Sequence, residues 1–149
     1  MKKLLFSKDK QLRSMPFEDQ GQAKYVSVKV KHKKVKKSTL RNKADKLFSL
    51  QVRSIGKCEL AGKDKITCNG NLQCMHIITR GVTALRFNPM NVLCGCAAHH
   101  MYYTHHPVEW VLFISQNFKE KFKFVVEHKD DVVKKTEDLY RSVIERYTV

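Results

Sequence analysis

No stretch of the sequence approaches the roughly 18 apolar residues of a membrane-spanning helix. The one apolar run near the start, Leu4, Leu5 and Phe6, is too short for a secretion signal. These absences predict a cytosolic protein. In that reducing compartment a disulfide framework is not expected, so the five cysteines, Cys58, Cys68, Cys74, Cys94 and Cys96, need another use. They fall within 39 residues, beside His99 and His100, and such clustering points to metal. Internal repeats and low-complexity linkers are also absent, which leaves one core of ordinary size, or a smaller core with arms.

Acids are the other shortage, with 14 Asp and Glu against 29 Lys and Arg, a formal net charge of +15. Residues 1–53 hold 16 basic residues against 4 acids, or +12, while residues 54–149 hold 13 against 10, or +3. The excess therefore belongs to the N-terminal part. Nucleic acid is the obvious polyanion; an anionic membrane surface or a merely solvated arm is the alternative. Residues 1–37 lack sustained periodicity and read as a basic arm that orders on a partner. Lys33, Lys34, Lys36 and Lys37, with Arg41 just beyond, are the phosphate contacts it offers.

From Ser38, a plausible N-cap, Leu40, Ala44, Leu47, Phe48 and Val52 form one helical stripe that ends near Gly56. Residues 56–70 are short of apolar side chains and read as a loop. A strand over 72–78, a loop over 79–89 and a returning strand over 91–93 follow, then a short helix over 97–105 stopped by Pro107. Two more amphipathic helices are expected, one marked by Trp110, Phe113, Ile114, Phe118, Phe122, Val125 and Val126. The other carries Val133, Thr136, Tyr140, Val143, Ile144 and Tyr147. The expected class is α+β: a domain over 38–149 with a ββα unit at about 72–106 and packing helices over 108–147.

A structural zinc takes four thiolate or imidazole ligands, usually as two close pairs. Cys96 and His99 make one pair, with the two-residue gap that lets both face one ion from a helix start. Cys58 begins the other, but Ala61 stands where a Cys-x-x-Cys would place its partner. Cys68 is the best replacement, with Cys74 and Cys94 as substitutes. The bland alternative is a set of free buried cysteines around a packed histidine.

Phosphodiester hydrolysis needs a nucleophilic water, a base and positive charge at the phosphate. His76, at a strand end, suits the base because imidazole titrates near the working pH. Asn91, fifteen residues on, lies opposite and is positioned to hold that ring, through a backbone or side-chain contact. His100, nine further, is a candidate ligand for a catalytic divalent cation; it follows His99 by one residue and so points about 100° away from the zinc, towards the hairpin. Arg80 and Arg86 in the loop between are candidate phosphate clamps, with a structural ion pair the alternative for Arg86.

At these residues the chain resembles the HNH endonuclease superfamily, and within it the phage NinG-like recombination and endonuclease branch. The likeness rests on the Leu-Gln-Cys-x-His segment ending at His76, the Arg80-Gly81 after it, the Leu-Arg-Phe-Asn segment at 85–88 followed by Asn91-Val92, and Cys96, His99 and His100. It covers roughly residues 40–149, and the arm lies outside it. Three positions depart from the pattern: Ala61 replaces a cysteine, His99 replaces another, and Met75 stands where many such enzymes carry an acidic metal ligand, leaving the cation to His100, substrate phosphate, or His105 or His106. The resemblance implies a zinc-stapled ββα-metal fold that nicks or cleaves DNA with Mg²⁺ or Mn²⁺, as a monomer or weak dimer, in the cytoplasm of an infected bacterial host. The runner-up is a zinc-stabilised DNA-binding accessory protein without catalysis.

If the arm contacts phosphate, deleting residues 1–37 weakens DNA binding and flattens its dependence on salt, while cleavage at saturating protein persists. Binding isotherms across a salt series check this, and an unchanged slope would leave the arm a solvated tail.

Overall fold

A computed structural model describes residues 35–148. Lys33, Lys34 and nearly all of the expected basic arm lie outside the described residues. The class is α+β: among the described residues, five α-helices surround a two-stranded antiparallel sheet. No helix there is long and apolar enough to cross a membrane.

The first helix, α1 (Lys37–Arg53), buries the expected stripe of Leu40, Ala44, Phe48 and Val52, with Leu47 half-buried at its edge. Ser38 is not its N-cap. The cap position is two residues earlier, at Lys36, the helix begins at Lys37, and the backbone N–H groups of Thr39 and Leu40 are taken by the Lys36 carbonyl, with no side chain capping it. The sheet follows as β1 (Leu72–His76) and β2 (Val92–Cys96), in a register that pairs Leu72 with Cys96 and His76 with Val92. The second strand is therefore longer than the expected 91–93 and begins later, because Asn91 closes a 3₁₀ turn over Pro89–Asn91 that Asn88 caps through its side chain.

After the hairpin come α2 (Ala97–His105), α3 (Pro107–Asn117), α4 (Lys119–His128) and α5 (Glu137–Tyr147). Pro107 does two jobs, ending α2 and opening α3 as its first residue, where its missing N–H is harmless. The expected single helix across 110–126 is instead two. The chain leaves helical geometry at Phe118 (φ −135°, ψ 54°), whose ring packs 6.0 Å from Phe113. The last helix also starts later than expected, since the Thr136 hydroxyl caps Leu139 N–H and Glu137 and Asp138 place negative charge in its first turn. Val133 is left outside it, exposed.

Alternation along the hairpin divides the interior into two cores. Cys74, Val92 and Cys94 face α1 and α5, in a cluster with Phe48, Phe87, Tyr140 and Val143. Met75 and Leu93 face the other way, into Leu60, Tyr103, Trp110, Phe113 and Ile114. Lys121 of α4 bolts the second strand in place, donating 2.7 Å hydrogen bonds to the carbonyls of Pro89 and Val92.

Gly95 is required by this packing rather than by its backbone angles. A Cβ there would sit 2.0 Å from the sulfur of Met75, itself only 2% exposed, and 3.5 Å from Leu60. Gly95→Ala is expected to destabilise the protein by about 1–3 kcal/mol through overpacking. Denaturant unfolding measures it, and a neutral result would show that Met75 has room to swing aside.

Candidate functional site

Two distant pieces of chain meet at the start of α2. Cys58 and Cys68 come from the long connection after α1, and Cys96 and His99 from the end of β2 and the first turn of α2. The connection is held against the hairpin by its own polar groups. Glu59 N–H donates to the Cys94 carbonyl (2.8 Å), and Cys94 N–H donates back to the Glu59 carboxylate (2.6 Å), so this stretch lies along the outer edge of β2. Leu60, fully buried, is the apolar peg beside it. Further on, Ala98 N–H donates to the Asn69 carbonyl at 3.1 Å. Gly70 turns with φ +76° in a place where a Cβ would meet the Ala97 methyl at 2.8 Å.

The result is a group of three sulfurs and one imidazole nitrogen, all within 4.8 Å of one another. From His99 Nδ1 the sulfurs of Cys58 and Cys68 are 3.8 Å away and that of Cys96 is 3.0 Å away. Ligands at zinc distances of about 2.0–2.3 Å in a tetrahedron lie roughly 3.5–3.8 Å apart, so the set fits a metal such as zinc. Cys96 N–H also donates to the Cys58 sulfur at 3.4 Å. Burial disfavours the Cys96 thiolate, but the hydrogen bonds it accepts, led by that of the His99 backbone and joined by Asn69 and Cys68, outweigh it and bring the thiol down to about 6. Cys68, although exposed, goes the other way, to about 11, through desolvation within the cluster and the crowding of Cys58 and Cys96. Three thiols this close cannot all ionise without a cation among them.

The fifth member of the centre is a residue that sequence reasoning missed. His99 is fully buried, and its Nε2 lies 3.1 Å from Asp64 Oδ1. A carboxylate accepts, so Nε2 carries the proton and Nδ1 presents its lone pair to the sulfurs, as metal ligation requires. Asp64 is itself fixed, accepting from Ile66 N–H (2.9 Å) and from the Tyr103 hydroxyl (2.7 Å). Between Lys63 and Lys65 it looks like an ordinary surface acid. The usable signal was that it and Glu59 are the only acids of residues 56–70, and both turn inward. Cys74 and Cys94, the substitutes considered for Cys68, are paired across the hairpin and belong to the first core, outside the cluster.

On the other side of α2 lies a cavity of about 490 Å³, whose lining includes Asp45, His76, Arg80, His100, Tyr103 and Trp110. Two of the three expected catalytic residues thus share one wall. The Nε2 of His76 lies 3.0 Å from the Arg86 carbonyl, which only accepts; the proton is on Nε2 and Nδ1 holds the lone pair. Burial lowers the pKa of His76, with the charges of Arg80 and Arg86 adding to it against the Arg86 carbonyl and Asp45, so the ring is neutral at neutral pH. His100 bonds through Nδ1 to the Gln73 side-chain oxygen on β1, towards the hairpin, which leaves Nε2 with the lone pair. Burial and then Arg80 lower its pKa too.

Asn91 is fully buried and reaches the loop, not the His76 ring. Its amide donates to the carbonyls of Ile78 (2.9 Å) and Leu85 (3.0 Å), and its oxygen accepts from Ile78 N–H (2.8 Å). The histidine is held one residue further along, by Arg86. That arginine does not face the cavity as a free clamp: its Nε and Nη2 pair with Asp45 at 2.9 and 2.5 Å, and Nη1 donates to the Arg80 carbonyl at 2.8 Å. Arg80 is exposed at the cavity. Lys36, Lys37 and Arg41 are exposed on and before α1, and His105 and His106 lie outside the lining, with His106 stacked on Tyr102. Compared with known protein families, curated proteins and solved structures, the chain matches none.

Purified protein is expected to carry about one zinc per chain, lost together with the fold in Cys96→Ala or His99→Ala. Asp64→Asn keeps the four ligands but should weaken zinc binding by about 10- to 100-fold. Competition with a chromophoric chelator reads this directly; unchanged affinity would reduce Asp64 to a loop contact, and metal-free folded protein would sink the centre.

Proposed function

We propose that the chain is an HNH-type DNA endonuclease or nicking enzyme: a ββα-metal unit, stapled by zinc at Cys58, Cys68, Cys96 and His99, that hydrolyses phosphodiester bonds with a second divalent cation. The observation that carries this reading is the shared wall of His76 and His100. Each has one ring nitrogen spent on a fixed acceptor and the other left as a lone pair. His76 Nδ1 takes the proton of the attacking water. The new bond forms from that water oxygen to phosphorus, and the bond from phosphorus to the leaving sugar oxygen breaks. Arg80, exposed at the cavity, is the cation available to the phosphate.

His100 would hold the catalytic ion, with substrate oxygens completing its shell. One imidazole and an Asp45 already paired to Arg86 suit a borderline ion such as Mn²⁺ better than Mg²⁺, which demands oxygen ligands. When bound, such an ion supplies Lewis-acid charge to the phosphoryl and leaving oxygens. With one such cavity among the described residues, a monomer nicks, and a double-strand cut needs a dimer or two events. A second reading, a zinc-stabilised DNA-binding accessory protein without catalysis, is favoured by Met75, which fills core where an acidic ligand would otherwise stand.

A plasmid-nicking assay with Mg²⁺ or Mn²⁺ separates the two. His76→Ala should lower turnover on the order of 10² to 10⁴-fold with zinc content and DNA affinity nearly intact. His100→Ala should also lose activity but regain part of it at raised Mn²⁺, because mass action offsets weaker coordination. Since the pKa of His76 is lowered, the base is in its working, neutral form above a value under the usual 6.5, and activity is lost only as pH falls through it. Wild-type rates in either variant, or Mn²⁺ rescue of His76→Ala, would overturn these roles.

A further inference from the structure

The ring of His76 is held by a backbone carbonyl, and a carbonyl in a loop is only as fixed as the loop. Residues 79–88 run as successive turns, with Val82 N–H on Thr79, Leu85 on Val82, Arg86 on Thr83 and Asn88 on Leu85, at 3.2–3.3 Å. Asn91 pins the peptide before Arg86, through the Leu85 carbonyl. What fixes Arg86 itself is its side chain. The guanidinium lies in a two-pronged pair with Asp45 of α1, an element 41 residues earlier in the chain, and donates its third bond to the Arg80 carbonyl. Both side chains are largely shielded, at 15% and 18% exposure, so the pair is not a solvent-screened surface contact. Planar fork-to-carboxylate pairing fixes direction as well as distance.

We propose that Asp45 is a positioning residue for His76: by gripping the Arg86 guanidinium it holds the Arg86 carbonyl against Nε2 and so keeps the lone pair on Nδ1. The inference rests on the reading of His76 as the general base, and it makes α1 part of the active site although α1 contributes no group to the chemistry. Its second effect is electrostatic. Asp45 neutralises the guanidinium that would otherwise stand uncompensated next to the histidine. A lysine at position 86 would keep the charge but lose the fork, so position 86 tests the geometry separately from the charge.

The test reads the ring and the reaction separately. In wild-type protein, long-range ¹⁵N–¹H correlation spectra should show His76 as a single Nε2–H tautomer. In Asp45→Asn, and independently in Arg86→Lys, the signals should move towards a mixture of the two tautomers, with thermal melting used to confirm folding. In the nicking assay both variants should lose on the order of 10- to 100-fold in kcat with KM for DNA little changed, the pattern of a misplaced base rather than of lost binding. Lys123→Gln, which breaks an exposed pair on α4, should change neither readout. An unaltered tautomer in both variants overturns the proposal, as does a rise in KM at constant kcat, which would make the Asp45 and Arg86 pair part of DNA binding. A shifted tautomer in a protein whose wild type nicks nothing would leave Asp45 as the holder of the ring and sink the nuclease reading instead.

Discussion

The proton on His99 decides how the α2 side of the molecule is assembled. Asp64 takes that proton's hydrogen bond at Nε2, and only then can Nδ1 face the sulfurs of Cys58, Cys68 and Cys96. The connection that carries Asp64, Cys58 and Cys68 fully buries one residue, Leu60. Ordering each backbone residue costs about 1–2 kcal/mol, while one buried leucine returns about 1.5–3 kcal/mol. A handful of hydrogen bonds at about 0.5–1.5 kcal/mol each does not make up the difference. A zinc ion, at about 10–16 kcal/mol for a structural site, is of the right size. The short apolar content of this loop and the cluster of soft ligands at its ends are therefore two sides of one constraint.

Because His99 and His100 are consecutive on a helix, fixing one fixes the other. His99 turns to the sulfurs, and His100, about 100° round the axis, turns to Gln73 and the cavity. Tyr103, one turn on, belongs to both sides: its hydroxyl bonds Asp64 and its body lines the cavity and packs in the second core. On the proposed reading, the staple and the reaction chamber share a wall one helix thick. His100 and Tyr103 are positioned from the side of the cluster, whereas His76 is held from the opposite side by Arg86 and, through it, Asp45 of α1.

Features carried by chain-local pattern were legible in the sequence. The stripe of α1, a strand from Leu72, though it stops at His76 and not at Ile78, the α2 helix between Cys96 and Pro107, and the Cys96, His99 pair with Cys58 follow from periodicity or ligand spacing, while Cys68 was one of three choices for the fourth ligand. What escaped were side chains whose meaning depends on a partner far away in the chain. Asp64, between Lys63 and Lys65, and Glu59, in a loop rich in lysine and glycine, look like solvated acids until the fold brings His99 and Cys94 to them. Asp45 is an unremarked acid on the flank of α1 until Arg86 arrives. The break at Phe118 was invisible because its apolar spacing continues straight through it, and only tertiary packing in the second core takes the chain out of helical geometry. The late start of α5 was recoverable: Thr136 followed by Glu137 and Asp138 is a helix-start signature, overridden in the reading by the apolar spacing of Val133.

On the proposed reading, the methionine at position 75 ties the core to the chemistry. An acid there would have to stand among Leu60, Leu93, Trp110 and Ile114, over a glycine that has no room for a Cβ, and a charge in such surroundings is strongly disfavoured. Packing on that face of the hairpin thus excludes the carboxylate, and among the described residues the only acid lining the cavity, Asp45, is spent on Arg86. What remains around the cavity is two neutral imidazoles, the exposed cation of Arg80 and the hydroxyls of Ser49, Thr79 and Thr104, with no free carboxylate. On the proposed reading such a wall would attract a phosphate but supply few of the hard oxygen ligands a divalent ion wants. Those oxygens would have to arrive with the substrate, so that on the proposed reading the ion and the scissile phosphate bind each other's missing halves, and neither is held well alone.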